Sequence, residues 1–407
     1  MKRRVSAITC TLLAMVGFSP LALSQEGRGI GGGFNAEPSL QIDGYFNDNF
    51  YRQARSREAV YGAILRPSGR VLSDRGRLKL SLDAGATVGF FDSPSDNDNY
   101  FDGTAGTGVQ WALDSRQRMT FAYKHVREHD PFGTERTESR PDSIDRDLDL
   151  WHSDSLSAGY IYGTENAPIN IGFSVNAQQK HYDTNEAVTS PLNHSTLSAQ
   201  SEVFFNFSPR TAAILEASAG RIYFNSPNAV ARSRNGTFKY LLTGLRWKAT
   251  AQTTGDVRVG YLVRNFDDAP GNRFQALNWR ASLTWTPLVL TTIKLSTGRT
   301  AQSSYNTARF IDNRYTALDV NQRLSDRLNA GLRGSYIRSN FIGLARNDDL
   351  YAAGISAEYL LSQALSLVAS ATYDIRESDF PVIVTPTNIF DLNFNATTAL
   401  IGLRYTP

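Results

Sequence analysis

The chain has 407 residues, of which 41% are apolar, 11% aromatic and 20% charged, so it is too apolar and too aromatic to be a disordered polymer. The formal net charge is only +3 and the basic residues are scattered, which excludes the concentrated basic surface expected of a nucleic-acid-binding protein. The single cysteine, Cys10, lies in the first segment considered below, so disulfides, thiolate metal sites and a cysteine nucleophile are excluded from the rest of the chain.

The first segment has the pattern of a secretory signal peptide. Residues 2–4 are basic, residues 5–16 are apolar, and residues 22–24 place small side chains one and three positions before a cleavage point ahead of Gln25. A membrane-spanning helix needs about 20 apolar residues, and this stretch is too short for one. We therefore expect residues 1–24 to be cleaved during export.

Alternation of apolar and polar residues with a period of two dominates the rest of the chain. The runs lie at 78–90, 169–177, 197–207, 257–263, 277–285, 328–336, 351–361 and 365–375. Most have about nine or more residues, the length a tilted strand needs to cross a bilayer, whereas strands of globular proteins commonly have about five or six. A soluble β-sandwich is the alternative, but the polar faces of these strands offer little for a second packed layer. An apolar band around a wet interior fits the pattern better.

Short polar turns and longer connections separate the runs. The short turns are expected near Ser73-Asp74, Asp114-Ser115, Gly163-Thr164-Glu165, Ser208-Pro209, Thr253-Thr254-Gly255, Thr286-Pro287, Ser325-Asp326 and Ser362-Gln363. Short periplasmic turns opposite longer extracellular loops are typical of outer-membrane barrels. The count predicts an all-β fold, a transmembrane antiparallel β-barrel of about eighteen strands, with sixteen as the alternative. The connection over 127–147 is the longest and most charged. A loop of this length could fold into the lumen and narrow it, but we expect a charged run to be solvated outside the barrel.

Three segments follow from these patterns. They are a signal peptide at 1–24, a flexible periplasmic lead at 25–37 that contains five glycines, and an outer-membrane barrel at 38–407. We expect the protein to reside in the outer membrane of a Gram-negative bacterium as a multi-pass barrel.

The strand phases direct thirteen charged residues into the lumen, and the basic ones outnumber the acidic ones. The candidate pore-lining residues are Lys79, Asp83, Lys124, Lys180, Glu202, Glu216, Arg258, Arg264, Arg280, Lys294, Arg333, Glu358 and Asp374. One interpretation is that they keep the lumen wet and fix the strand register. The other is that the basic excess eases the passage of anionic or hydroxyl-rich solutes.

Catalytic, cofactor-binding and metal-binding residues are not expected. The five histidines fall near the ends of long loops, where Ser-His or Asp-His pairs could form. However, no nucleophile elbow, zinc motif or phosphate-binding loop accompanies them. The acidic residues near 96–102 and 142–149 do not match a complete calcium loop. The sequence therefore predicts a protein that is not an enzyme.

Three stretches carry a resemblance to a known family. They are Asp43-Gly44-Tyr45-Phe46-Asn47-Asp48-Asn49-Phe50-Tyr51-Arg52 on the first strand, Leu65-Arg66-Pro67 on the second, and the closing Gly402-Leu403-Arg404-Tyr405. Together with the spacing of strands and turns along the chain, these residues resemble the β-barrel porin family found in bacterial exopolysaccharide gene clusters. The resemblance covers most of the chain after the signal peptide and implies an outer-membrane channel for secreted polysaccharide. The alternatives are a general or anion-preferring diffusion porin and a structural or adhesive surface barrel.

The expected partners follow from this interpretation. They are outer-membrane lipid, the barrel-insertion machinery, polysaccharide, and a periplasmic or inner-membrane export apparatus. Outer-membrane barrels usually end on an aromatic residue that the insertion machinery reads, whereas here Thr406 and Pro407 follow Tyr405. This departure bears on the insertion signal and leaves the predicted fold unchanged.

Overall fold

The computed structural model describes residues 28–407 apart from 95–97, 135–136, 139–146, 165–166, 227–228, 249–251, 270, 272 and 385–388. The signal peptide expected at 1–24 lies outside these residues. Antiparallel strands make up most of the described chain. They are β1 Arg28–Gly31, β2 Phe34–Asn47, β3 Val60–Asp74, β4 Leu78–Asp92, β5 Tyr100–Ala112, β6 Gln117–His129, β7 Leu150–Tyr162, β8 Ile169–Tyr182, β9 His194–Ser208, β10 Thr211–Phe224, β11 Gly236–Trp247, β12 Thr253–Phe266, β13 Arg273–Leu288, β14 Thr291–Ser303, β15 Phe310–Arg323, β16 Leu328–Ile342, β17 Asn347–Leu360, β18 Leu365–Ser378, β19 Ile383–Val384, β20 Ile389–Phe390 and β21 Phe394–Tyr405.

Eighteen of these strands, β2 to β18 and β21, form one closed barrel. The barrel closes because β2 pairs with β3 on one side and with β21 on the other. The predicted eighteen-strand antiparallel barrel is confirmed, and the sixteen-strand alternative is wrong. In the described part of the chain, the helical segments are short and lie in loops: α1 Glu186–Thr189, α2 Ala229–Arg232 and the 3₁₀ turn Ser190–Leu192. Within the described ranges, no helix has the length and apolar character needed to cross a membrane.

The two faces of each barrel strand differ in character, as β12 shows. Val257, Val259 and Tyr261 are 42%, 44% and 65% exposed, which is the behaviour of side chains that face lipid. Arg258 and Leu262, on the alternate face, are 4% and 0% exposed. The outward face is therefore apolar, and the inward face carries the polar groups.

The eight short turns join the barrel strands at one end, and three of them lie one or a few residues from their expected positions. Ser73-Asp74 belongs to the end of β3, Thr253-Thr254-Gly255 to β12, and Thr286-Pro287 to the end of β13. Pro287 is accommodated because the pairing of β13 with β14 is irregular between Trp285 and Leu288, and a proline lacks the N–H that a regular ladder requires. Turn-forming residues thus lie inside strands at these three places.

The N-terminal lead is folded from residue 28 onward. Arg28 pairs with Ala36, so β1 and the start of β2 form a hairpin where the sequence suggested a flexible lead over 25–37. Gly31, Gly32 and Gly33 have φ values of 91°, 61° and 77°, a left-handed backbone that glycine adopts readily. The glycines therefore build a turn rather than a flexible tether.

The orientation of the barrel can be tested with two epitope tags. A tag after Ala187, an exposed residue of a long loop, should bind antibody on intact cells. A tag after Asp326, whose side chain is fully exposed in a short turn, should bind antibody only after the outer membrane is permeabilised. Cell-surface immunofluorescence measures both, and the opposite labelling would place the short turns outside.

Candidate functional site: the barrel lumen

Strand pairing places all thirteen predicted pore-lining residues on the face opposite the exposed apolar side chains. Residues paired across an antiparallel ladder share a face. Arg258, for example, lies opposite Gly244 on β11 and Arg280 on β13, while its neighbours Val257 and Val259 face outward. The structure brings four of the thirteen into one cluster and distributes the other nine along the wall.

The four are part of the wall cluster, which comprises Glu202, Glu216, Asp256, Arg258 and Arg280. Glu202 lies directly opposite Glu216, and Arg258 lies directly opposite Arg280, so each strand pair taken alone is repulsive. The guanidinium of Arg258 compensates by contacting both glutamates and by bonding Asp256, with 2.8 Å between Nε and Oδ1. Arg280 Nη2 lies 2.6 Å from Glu216 Oε2. Arg246 Nε lies 3.0 Å from Asp256 Oδ2 and balances the third acid, so the charges neutralise one another, which favours a role in fixing the register of the barrel wall.

The remaining nine predicted residues have varied surroundings. Lys79, Asp83, Arg333 and Glu358 form ion pairs with Asp74, Arg70, Asp319 and Arg404, at 2.6, 2.9, 2.9 and 2.9 Å. The ammonium group of Lys180 lies 4.1 Å from the centre of the Trp151 ring and 3.9 Å from Asp130 Oδ1. Arg264 lies against aromatic rings and is treated below. Lys124, Lys294 and Asp374 form no ion pair with any described residue.

A second cluster, the mouth clamp, lies at the extracellular end and comprises Glu138, Tyr305, Arg346 and Arg376. Glu138 belongs to the long loop between β6 and β7, and its carboxylate accepts hydrogen bonds from Arg346 at 2.8 and 2.9 Å. Arg376 Nη1 and the Tyr305 hydroxyl donate to Glu138 Oε1 at 2.6 and 2.7 Å. The side chains of Glu138, Arg346 and Arg376 are 8%, 4% and 4% exposed. One carboxylate therefore joins the longest loop to the opposite part of the barrel wall.

This position corrects the expectation that the loop over 127–147 is solvated outside the barrel. Its described residues fold inward because the loop finds both charge partners and apolar partners there. The Phe132 ring packs against Phe50 and Tyr51, with ring centres 5.5 and 5.1 Å apart. Arg52 Nη1 donates to the Phe132 carbonyl at 2.9 Å. The charged residues of this loop at 135–136 and 139–146 lie outside the described residues.

The protonation states in the mouth clamp are set by burial and by the ion pairs. Burial raises the pKa of Tyr305 well above its ordinary value, and the Glu138 carboxylate raises it further, so the hydroxyl remains a donor. Burial alone would lower the pKa of Arg346, but bonds from Asp348 and Glu138 outweigh it and raise that pKa. At neutral pH Tyr305 is therefore a neutral hydroxyl that donates, and Arg346 is a cation.

Other loops fill the same end of the lumen. Tyr305 packs against a buried apolar group formed by Trp151, Tyr182 and Leu192, and also against the buried group Ala308, Ile311 and Phe341. The first group belongs to the β7–β9 region and the second to β15 and β16. The connection between β14 and β15 thus reaches across the mouth. Packed side chains obstruct the mouth at this end of the lumen.

The periplasmic half of the lumen has the opposite character. Several lumen-facing cations there are exposed to solvent, namely Lys79, Arg118, Arg246 and Lys294, whereas Arg258 and Arg404 are shielded by their carboxylate partners. Long charged side chains remain exposed only where water surrounds them. The lumen is therefore wet at its periplasmic end and filled at its extracellular end.

A polar network at the barrel seam was missed by the sequence prediction. Asp43 is 1% exposed and is held by Arg66 and by Gln41 Nε2, the latter at 2.9 Å. Arg404 joins Gln41 Oε1 at 3.0 Å and Glu358 at 2.9 Å. The signal was present in the sequence, because outward-facing Leu40 and Ile42 place Asp43 on the lumen face. The network ties β2 to β3, β17 and β21 where the barrel closes.

The histidines form Asp-His pairs, as the sequence allowed. Ring nitrogens lie 2.9, 3.0 and 2.7 Å from aspartate oxygens in His125–Asp154, His129–Asp102 and His152–Asp183. In the part of the chain that the structure describes, His181 and His194 bond an asparagine and a backbone carbonyl. No group of three or more His, Cys, Asp or Glu side chains among the described residues is arranged to hold a metal ion.

A closed barrel with an apolar outer band and a polar lumen defines the class of outer-membrane channels. The chain matches the family model described as "Putative beta-barrel porin 2" over residues 25–398, and it belongs to that family. Among curated proteins, none matches the chain by sequence.

Similar solved structures include large outer-membrane receptors. A mutant of the ferric enterobactin receptor PfeA from Pseudomonas aeruginosa is 10% identical, with 92% of this chain and 81% of that chain covered and a TM-score of 0.46. The siderophore receptor PirA from Acinetobacter baumannii is 9% identical, with 91% and 80% covered and a TM-score of 0.46. The FrpB iron transporter from Neisseria meningitidis is 10% identical, with 90% and 67% covered and a TM-score of 0.48. These sequence identities and TM-scores are too low to indicate a function for this chain.

Proposed function

We propose that this outer-membrane channel exports a secreted exopolysaccharide and has no catalytic role. The observation that carries the proposal is the asymmetry of the lumen. Its periplasmic half is wet and lined by hydrogen-bonding and cationic groups, while its extracellular mouth is bridged by the mouth clamp. A solute that arrives from the periplasm meets a solvated vestibule, and a solute from outside meets a closed mouth.

The closed mouth argues against unrestricted diffusion. A barrel of sixteen to eighteen strands is wide enough for a permanent aqueous channel. Here the Glu138 carboxylate and two guanidinium groups lie within that width, each less than a tenth exposed. Passage of a polymer therefore requires the loop to move, as a gated exporter does when its substrate or a partner protein engages it.

The chemistry of the wet half suits a hydroxyl-rich, acidic polymer. Ser, Thr, Asn and Gln side chains on the inward faces can exchange hydrogen bonds with sugar hydroxyls, and the exposed lysines attract carboxylates. The likeness at 43–52, 65–67 and 402–405 to barrels of exopolysaccharide gene clusters points to the same class of solute. Export also implies a periplasmic or inner-membrane apparatus that delivers the polymer, and outer-membrane lipid with the insertion machinery around the barrel.

An anion-preferring diffusion porin is the second candidate. Lys124 and Lys294 favour it, because both are exposed in the lumen and neither forms an ion pair with any described residue. Conductance in planar bilayers separates the two candidates. A diffusion porin shows a stably open, anion-selective channel, whereas a gated exporter stays closed until the mouth is released.

Deletion of the gene tests the proposal in cells. We expect the amount of released polysaccharide to fall at least tenfold, while uptake of small anions stays unchanged, because the mouth is closed to free diffusion. The measurements are released and cell-associated polymer, with a complemented strain as the control. Unchanged polymer with reduced uptake would identify a diffusion porin, and no change in either would favour a structural or adhesive surface barrel.

A further inference from the structure

Three arginines near the extracellular end of the lumen, two of them buried and Arg309 25% exposed, have weaker carboxylate pairing than the arginines elsewhere in the barrel. This arginine cluster comprises Arg234, before β11, Arg264, at the end of β12, and Arg309, before β15. Arg264 is 2% exposed and its guanidinium carbon lies 4.6 Å from the centre of the Phe310 ring. Arg309 lies over the Phe266 ring at 4.8 Å, and Arg264 lies 5.8 Å from the same ring.

Arg234 joins this pair from a neighbouring loop. It is 2% exposed, and its guanidinium carbon lies 5.4 Å from the centre of the Phe224 ring. Its Nη2 donates to the carbonyl of Asn306, three residues before Arg309. The three side chains are thus connected through aromatic rings and one loop.

Their remaining donor atoms are unsatisfied. Nε and Nη1 of Arg234, Nη2 of Arg264 and Nη1 of Arg309 are buried and have no hydrogen-bond partner among the described residues. A buried donor without a partner costs about 1 to 3 kcal/mol, and more when it is charged. Four such donors on three neighbouring guanidiniums therefore require an explanation.

The charge is compensated only at one of the three arginines. Arg309 forms a long ion pair with Asp268, with 3.7 Å between Nη2 and Oδ2, whereas neither Arg234 nor Arg264 forms an ion pair with any described residue. Burial lowers the pKa of Arg234 to about 10, with no neighbouring acid to offset it. In the wall cluster and the mouth clamp, by contrast, every guanidinium bonds a carboxylate.

The geometry of the guanidinium group indicates what is missing. Each of the three groups has an aromatic ring against a face, and the donors without partners lie on their N–H edges. Such edges match two oxygens of a carboxylate or phosphate, which they bind with paired, charge-assisted hydrogen bonds.

We propose that the arginine cluster is a binding site for an oxyanion, a carboxylate or a phosphate group carried by a solute in the lumen. This inference goes beyond the proposed function, because it concerns binding to the barrel whatever solute the channel carries. An acidic sugar unit would pair its anionic group with the guanidinium edges, and a neutral sugar would not.

The test uses the full-length protein refolded in detergent and isothermal titration calorimetry. Glucuronate supplies the carboxylate, inorganic phosphate supplies the phosphate, and glucose is the neutral control. We expect saturable binding of one or both anions and none of glucose, and the anion that binds identifies the source. Arg264→Gln should weaken binding at least tenfold, whereas Arg327→Gln, which removes an exposed cation from the short turn between β15 and β16, should change it less than twofold.

A second variant shows whether weaker binding by the first reflects loss of the site or loss of folded protein. Arg309→Gln alters a loop residue outside the barrel wall and carries the same tenfold expectation. Without anion, Arg264→Gln should unfold at the same temperature as the wild type or higher, since it removes an uncompensated charge. The inference is wrong if the wild type shows no saturable anion binding, or if Arg327→Gln weakens binding as much as Arg264→Gln. Neither result depends on the outcome of the gene deletion.

Discussion

Val175→Arg is expected to abolish assembly of most of the protein, whereas Ser174→Arg should assemble almost as well as the wild type. Val175 lies in the middle of β8 and pairs with Ala158 and Ala199 on the lipid-facing side. An arginine at the bilayer midplane costs about 2 to 4 kcal/mol. Ser174 faces the lumen opposite Gly159 and Gln200, where a long side chain can reach water.

Heat modifiability on gels, after refolding into lipid vesicles, measures the folded fraction of each variant. Val175→Leu is the matched control for a change of side-chain volume without charge, and it should fold like the wild type. Equal losses of folded protein in Val175→Arg and Ser174→Arg would mean that the two residues do not face different solvents and that the phase of β8 is wrong.

The barrel could be predicted because its main signal is local. In β4 or β8 the apolar and polar residues alternate within one strand, so the sequence alone reveals strand length, phase and the apolar outer band. The even strand count followed from the turns. The inward placement of Arg258 and Glu216 could be predicted because successive residues of a strand face opposite sides of the sheet.

Turn chemistry was a weaker guide. Thr286-Pro287 has the composition of a turn, yet the irregular pairing after Trp285 accommodates the proline within β13. The glycines at 31–33 have the composition of a flexible lead, but a hairpin uses their left-handed backbone. In both places pairing with a neighbouring strand determines the conformation of these residues. Local composition does not show which strand that neighbour is.

The functional groups of the mouth could not be predicted for a different reason. Glu138 and Arg376 are 238 residues apart in sequence, and three of the four clamp residues, Glu138, Tyr305 and Arg346, lie in loops, where no periodicity fixes the direction of a side chain. Arg234 and Arg309 are loop residues as well. The alternation of faces along a strand could therefore predict the direction of only one member of the arginine cluster, Arg264 on β12. Long-range ion pairs follow from how the loops fold into the barrel.

Glu138→Gln is expected to open the channel. The substitution removes the only charge that the loop contributes to the mouth clamp among its described residues, and it leaves Arg376 without that carboxylate. Breaking a buried ion pair by removing one partner costs about 3 to 5 kcal/mol. This is enough to shift a docked loop toward the open state roughly 100-fold or more, since each 1.4 kcal/mol is about a factor of ten. Single-channel recording in planar bilayers should therefore show the variant open for most of the time, where the wild type is mostly closed.

Glu358→Gln is the matched control, because Glu358 is also a lumen-facing glutamate paired with an arginine, Arg404, but it lies on the wall far from the mouth. It removes the same charge and should leave the open fraction unchanged. In cells, Glu138→Gln should increase sensitivity to large antibiotics that the intact outer membrane excludes, and Glu358→Gln should not. If both variants conduct like the wild type, the loop is not the barrier to conduction. The closed mouth would then no longer support gated export over free diffusion.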